Sequence, residues 1–395
     1  MKKYYLLILA IILNNTLSYA GSDLKSRIGD ASSGYLAGHF MNAAYMFCDA
    51  DGVIDKGAKG IHSLTSKKEL QPLQQMPIAS ATKTMTAAGI LRLQDKNLLD
   101  VQDTVAKHLS AKSGIWKDGK IPAWAEQVRI HNLLTHRSGL PEYFMAIELD
   151  VKKPHPEINK DIANFAADNE LAFEPGQKHH YCNTNFVLLG LIIEQVSGAK
   201  LSKFYDEEFF GPLGMVDTRL LTLAEAVQQQ IKPETMSFPT RYFVTPTNAD
   251  PQFNTAKSKF LMVPFADGGV VSTTHDLIVW HQALHSGKVI SGNAYNLMTT
   301  RHYEVADRTG VNNYIGYGLY ISELEGGDIL YHHAGSAVAI RSESGCIPKK
   351  NICFAVLSNV MEYIPKEMRD KMDIAKVENQ LDIHHFIQHI LKAIR

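Results

Sequence analysis

The stretch MPIASATKTMTAAGILRLQDKNLL, residues 76–99, decides how the rest of the chain is read. Between Ile78 and Leu91 its only charge is Lys83, and the eight residues after that lysine are uncharged. A run of this kind predicts a helix buried on most sides. A buried ammonium is costly unless it is paired or held neutral. Ser80 stands three residues earlier, and residues i and i+3 share a helix face, so the two side chains can meet. At a helix start the serine also gains the positive end of the helix dipole, which favours a developing anion. Desolvation lowers a lysine's pKa, so Lys83 can help take the hydroxyl proton of Ser80. That is nucleophilic catalysis with lysine where a triad uses histidine.

The S-x-x-K spacing alone is weak, because it recurs at Ser22–Lys25 and Ser197–Lys200. Only Ser80 opens an uncharged helix; Ser197 precedes the helix-ending Gly198, where a polar pair is ordinary. Two further elements strengthen it. Tyr181-Cys182-Asn183 is the only Y-x-N among 16 tyrosines and lies just before the apolar helix Phe186–Val196. A tyrosine beside a lysine is expected to lose its proton more easily than the free phenol; the plainer reading is a loop tyrosine and a capping asparagine. Later, His333-Ala334-Gly335 follows a strand-like run and leads to Ser336, and a small residue and a glycine on a strand let a substrate backbone lie alongside. His285-Ser286-Gly287 has the same H-x-G form, but there the glycine reads as a helix cap.

The bulk numbers frame these motifs. The 395 residues are 45% hydrophobic and 21% charged, the composition of a globular protein with ample core. Residues 1–20, MKKYYLLILAIILNNTLSYA, have a basic start, a ten-residue apolar run and a small-x-small end, which reads as a secretory signal peptide, with an uncleaved anchor as its rival. No later run is apolar and long enough to span a membrane, so no transmembrane anchor is expected after cleavage, and the protein is expected outside the cytoplasm, in the periplasm. Loss of Lys2 and Lys3 takes the formal charge from -1 to -3, which gives no reason to expect a nucleic acid or an anionic membrane as partner. Four cysteines are not a disulfide framework. Cys346 and Cys353 stand at mirror positions around Pro348–Asn351; an oxidising compartment would permit a bond, and two free strand cysteines are the alternative.

Along the chain, strand-like runs at 40–62, broken by Asp51-Gly52 and Lys56-Gly57, give way to helical segments at 81–109, 186–196 and 276–284. Residues 225–262 read as a long surface excursion. From Ile315 the pattern alternates as strands do, and Ile374–Ile394 is an amphipathic helix. The order predicts an α+β fold: an antiparallel sheet flanked by helices, with a mostly helical lobe inserted. The division expected is residues 21–75 and 263–395 for the α/β lobe and 76–262 for the helical lobe of one hydrolase domain, with the site in the cleft between.

Together with LLTHRSGLPEY (133–143), FEPGQKHHYCNTNFVLLGLIIEQVSG (173–198), ADGGVVSTTHDLIVWHQAL (266–284) and GYGLYI (316–321), the three motifs resemble the serine β-lactamase and penicillin-binding protein superfamily. The likeness is greatest to its class C, DD-peptidase and family VIII esterase branch. The resemblance implies a β-lactamase/transpeptidase-like fold, acylation of Ser80, and proton transfer shared by Lys83 and Tyr181. It also implies that Asn183 holds the substrate amide, that the backbone N–H groups of Ser80 and Ser336 form the oxyanion hole, and that His333 and Gly335 line the substrate. Neither metal nor cofactor is expected. The implied substrate is a small molecule or peptidoglycan peptide, with β-lactams a further candidate. The expected activity is ranked as DD-peptidase or carboxypeptidase first, then esterase, then β-lactamase, with a non-catalytic binding or assembly module as the rival of another class. The sequence departs from the pattern at His333, where class C β-lactamases carry lysine; a histidine is expected to be only partly charged. It departs again at Ala339, where relatives often have glycine.

The remaining candidates have plainer readings. His384, His385 and His389 lack HExxH and a nearby acid, and read as one face of a solvated helix. His136 is expected to fix a turn, His179-His180 to border the cleft, and Cys182 to be a small filler.

Overall fold

Alternating residues of one hairpin set up the two faces on which the molecule is built. A computed structural model describes residues 23–38, 41–60, 62, 68–144, 146–147, 149–150, 153–221, 265–305, 313–337, 340–359 and 383–394. Strands β1 (Ala43–Asp49) and β2 (Gly52–Lys59) pair antiparallel. Along β1, Ala43, Tyr45 and Phe47 enter one core while Ala44, Met46 and Cys48 enter another, the period of two that a strand imposes. Six further strands complete the sheet: β3 (Tyr303–Val305), β4 (Asn313–Ile315), β5 (Tyr320–Glu323), β6 (Ile329–Ala337), β7 (Ile340–Ile347) and β8 (Ile352–Ser358). Their order is β2-β1-β8-β7-β6-β5-β4-β3, and neighbours run antiparallel.

Helix α1 (residues 23–38) and helix α5 (Ile383–Ile394) cover one face through Ile28, Tyr35, Phe386 and Ile390. The opposite face meets α4 (Thr274–His285), whose Leu277 and Ile278 join a larger core shared with α2 (Lys83–Asp95) and α3 (Asn183–Ser197). Burial of both faces explains why the central strands β1 and β8 carry only Asp49 as a charge between them. The result is the expected α+β arrangement of antiparallel sheet and flanking helices.

The break expected at Lys56-Gly57 is not there. Both residues lie inside β2, and Gly57 stands in the strand because a Cβ would meet the Tyr45 hydroxyl at 2.6 Å. Cys346 and Cys353 face each other in the β7–β8 hairpin and form a disulfide, with Cα atoms 4.1 Å apart, so the two are not the free strand cysteines of the other reading. The expected signal segment 1–20, the excursion 225–262 and Ala339 lie outside the described residues. Among the described residues no helix is long and apolar enough to cross a membrane.

Candidate active site

Ser80 lies in a 3-10 turn, Ala79–Thr82, that runs directly into α2, whose first residue is Lys83. Residues three apart eclipse on a 3-10 turn, which brings the two side chains together more directly than an α-helix would. Ala79 has φ 45°, in the left-handed region that a residue with a Cβ enters at a cost of about 1–2 kcal/mol, so the turn that carries Ser80 is strained. The Ile78 backbone fixes that turn: its N–H donates to Val270 O (3.0 Å), and its carbonyl accepts from Ser342 Oγ (2.6 Å).

Lys83 is fully buried, and its Nζ has three neighbours: Ser80 Oγ at 3.0 Å, Asn183 Oδ1 at 2.9 Å and the Asp267 carbonyl at 2.7 Å. The two carbonyl oxygens can only accept, so they hold two N–H bonds in either protonation state. The third position alone can become a lone pair, and it faces the Ser80 hydroxyl. Burial lowers the Lys83 pKa to about 8, against the opposing pull of Asp267 and Glu142. Asn183, the first residue of α3, is held in turn by Glu142 Oε2, which accepts from its backbone N–H (2.6 Å) and its Nδ2 (3.2 Å). Asp267 is buried and accepts from the Tyr143 hydroxyl (3.0 Å); desolvation raises its pKa to about 6.

Tyr181 corrects one expectation. Its ring stacks on His136 (4.3 Å between centroids), and Lys83 Nζ lies 5.0 Å from its centroid. Burial pushes the phenol far above its ordinary value, and its hydrogen bond to Ser80 offsets only part of that. The phenol is therefore protonated at rest, and the group tuned toward neutrality is the lysine. His136 fixes a turn as expected, with φ 54° and Nδ1 accepting from Cys182 N–H (3.1 Å), and also supports the Tyr181 ring. Cys182 is buried against the Leu140 and Pro141 carbonyls.

His333 corrects another. It is buried, and desolvation together with Lys83 lowers its pKa to about 3, so it is neutral rather than partly charged. Its Nδ1 donates to the Ala334 carbonyl (2.6 Å), which leaves Nε2 as an acceptor. Gly335 has a further reason to be glycine: a Cβ there would meet Ile78 O at 2.0 Å, so the missing side chain admits the serine turn. A third correction is His384, whose Nδ1 lies 3.1 Å from Glu343 Oε2, so an acid does stand beside the expected solvated face.

A cavity of about 510 Å³ joins Ser80, Tyr181, Asn183, His333, Gly335 and Ser336. Lys83 sits behind its wall. Arg341, which no motif announces, also lines it, because β7 pairs Arg341 with Ser336. The sequence missed Glu142 and Asp267 as well, although both fall inside quoted stretches; an acid within an otherwise apolar run was the available signal.

Glu142 gives a pH test. With deprotonated Lys83 as the base, the rate should rise with pH through about 8. Glu142→Gln removes a charge that holds the ammonium, so the rising limb of kcat/KM is expected at lower pH. A limb that stays put or moves upward in a steady-state pH series would contradict this.

Three kinds of likeness accompany this geometry. The sequence model described as Beta-lactamase matches residues 33–379. Penicillin-binding protein 4* of Bacillus subtilis (strain 168) is 28% identical over 262 residues, 64% of this chain and 54% of its own length. Protein flp of Staphylococcus aureus (strain NCTC 8325 / PS 47) is 25% identical over 335 residues, 83% of this chain and 62% of its own. The chain thus spans little more than half the length of these curated relatives. In fold, it is similar to D-amino acid amidase from Ochrobactrum anthropi SV3, with TM-score 0.73, 22% identity and coverage of 94% of this chain and 98% of the other.

Proposed function

The chain belongs to the Beta-lactamase family, and from that we propose that it is an exported serine hydrolase that cleaves an amide through an acyl-enzyme on Ser80. The observation that carries the reading is the Lys83 amine, bound by two acceptor-only carbonyls with its remaining position on Ser80 Oγ. Lys83 takes the hydroxyl proton as Ser80 attacks the carbonyl carbon. Tyr181, protonated and bonded to Ser80, gives its proton to the leaving group and recovers it through Lys83. The Ser80 and Ser336 N–H groups stabilise the oxyanion, Asn183 Nδ2 binds the acyl-side amide, and water releases the acyl group. The basic-apolar-small pattern of residues 1–20 and the Cys346–Cys353 disulfide support export to an oxidising, periplasmic compartment.

A DD-peptidase or carboxypeptidase-like substrate, a peptide with a free C-terminal carboxylate, is the best-supported class. Arg341 is a cation on the cavity wall, and neutral His333 is not. A charge-assisted hydrogen bond contributes about 1.5–3 kcal/mol, so Arg341→Ala should raise KM for such a peptide about ten- to a hundredfold and leave a neutral ester nearly unaffected. Equal losses on both substrates would remove the carboxylate assignment. Ester hydrolysis is the second reading, favoured by the neutral third-motif histidine.

The deciding experiment is the intact mass of the protein after incubation with benzylpenicillin, beside Ser80→Ala. A persistent adduct absent from Ser80→Ala is the expected result. Consumption of the drug without adduct would indicate a β-lactamase. No reaction would turn the test to a chromogenic ester, and inertness there too would leave the non-catalytic module.

A further inference from the structure

Three cysteines stand abreast across the sheet, away from the serine cavity. Cys48 on β1 is opposite Cys353 on β8, and Cys353 is opposite Cys346 on β7. All three enter the core that α4 covers. Helix α4 carries His281 and His285, one turn apart and so on the same face. One ring nitrogen of each and Cys346 Sγ lie within 4.8 Å of one another.

The histidines are already oriented. His281 Nε2 lies 2.9 Å from Ser344 Oγ, and His285 Nδ1 lies 2.8 Å from the Tyr295 hydroxyl. Both hydroxyls can accept, which tethers one nitrogen and leaves the lone pair on the other. Those others, His281 Nδ1 and His285 Nε2, are buried and have no hydrogen-bond partner among the described residues. An imidazole tethered at one nitrogen with the opposite one vacant is the usual preparation for metal binding. His281 itself is only 3% exposed, so its unpartnered nitrogen carries a real desolvation cost.

We propose that reduction of the Cys346–Cys353 disulfide opens a binding site for a zinc-class divalent cation, held by His281, His285 and the Cys346 thiolate. Two imidazoles and one thiolate suit zinc over magnesium or calcium, which take oxygen ligands. The reductant is a dithiol. It supplies two electrons and two protons, becomes a disulfide itself, and leaves Cys346 and Cys353 as thiols. The cation then displaces the proton from Cys346 Sγ. Because the bond and the ion both require that sulfur, each excludes the other, and the cation draws the chain toward its reduced form. Burial keeps both histidines neutral, as a ligand must be. Of the three, His285 is the least buried.

Two variants that both lack the disulfide separate the proposal from a loss of stability. Cys353→Ala leaves Cys346 free, and Cys346→Ala removes the ligand. The probe is Co2+, read by its thiolate charge-transfer absorption and by metal content after gel filtration. Cys353→Ala is expected to take up one Co2+ per chain without reductant, and the phosphine-reduced wild-type chain to do the same. The oxidised wild-type chain and Cys346→Ala should show no such band. The proposal is overturned if Cys353→Ala and the reduced wild-type chain show no thiolate band. It is equally overturned if Cys346→Ala shows the same band, or if the band survives when His281→Ala is added to Cys353→Ala.

Discussion

Lys83→Ala is expected to slow acylation of Ser80 by about two to four orders of magnitude, the usual contribution of a positioned general base. The substitution leaves the Ser80 hydroxyl without the Lys83 amine that faces it. It also strips Asn183 Oδ1 and the Asp267 carbonyl of their N–H donor. A structural explanation of the loss is therefore available, and the pH profile separates the two. With the neutral amine as the base, the rate in the wild-type chain should climb about tenfold per pH unit below 8 and level off above it. In Lys83→Ala that limb should vanish, whereas a variant that had merely loosened the site would keep it at lower amplitude. Stability gives a second signature of opposite sense. The folded-state pKa lies below the ordinary 10.5, so the unfolded chain holds the proton over a range where the folded chain has released it. Stability should therefore rise with pH between about 8 and 10.5 in the wild-type chain, and this rise should be absent from the variant. An acylation rate unchanged by Lys83→Ala would end the assignment of Lys83 as the base.

How much of this site could be read in the sequence follows from what each residue contributes. Ser80 and Lys83 were legible because a three-residue spacing is a local fact, and the serine turn preserves it. Tyr181 and Asn183 were legible as a rare pair at a helix start. The proton states were not. Proximity of Lys83 suggested an acidic tyrosine, but desolvation acts on both groups, raising a phenol and lowering an amine. The same desolvation neutralises His333. Asp267 escaped notice for another reason: it serves Lys83 through its carbonyl oxygen, a group that every residue has. Arg341 reaches the cavity only through the register of β6 on β7, and no spacing in the chain encodes that pairing. The sheet itself was visible in its alternation, whereas Gly57 read as a break because a glycine that yields space to Tyr45 looks, in sequence, like one that turns the chain.

Gly335→Ala should damage the serine site more than its single methyl suggests. Its Cβ would stand 2.0 Å from the Ile78 carbonyl oxygen and 2.3 Å from Ser342 Oγ. Neither neighbour is the loose end of a long side chain. Ile78 O is backbone two residues before Ser80, and it accepts from Ser342 Oγ and from Ala81 N–H. Relief therefore requires that the Ala79–Thr82 turn withdraw or that β6 bow outward. Either movement separates Ser80 from the Ser336 N–H with which it would bind the oxyanion. A displacement of about 1 Å in a reacting group costs on the order of a hundredfold in rate, and overpacking of this kind costs about 1–3 kcal/mol of stability. Gly57→Ala is the matched control: its Cβ would meet the Tyr45 hydroxyl at 2.6 Å on the outermost strand, so it should lower the melting temperature and leave acylation intact. If Gly335→Ala acylates at the wild-type rate, the strand does not hold the serine turn, and the contact between β6 and Ile78 is packing without catalytic consequence. If it loses rate while Gly57→Ala does not, the glycine of the third motif is explained by the backbone it admits, and the substrate is not needed to account for it.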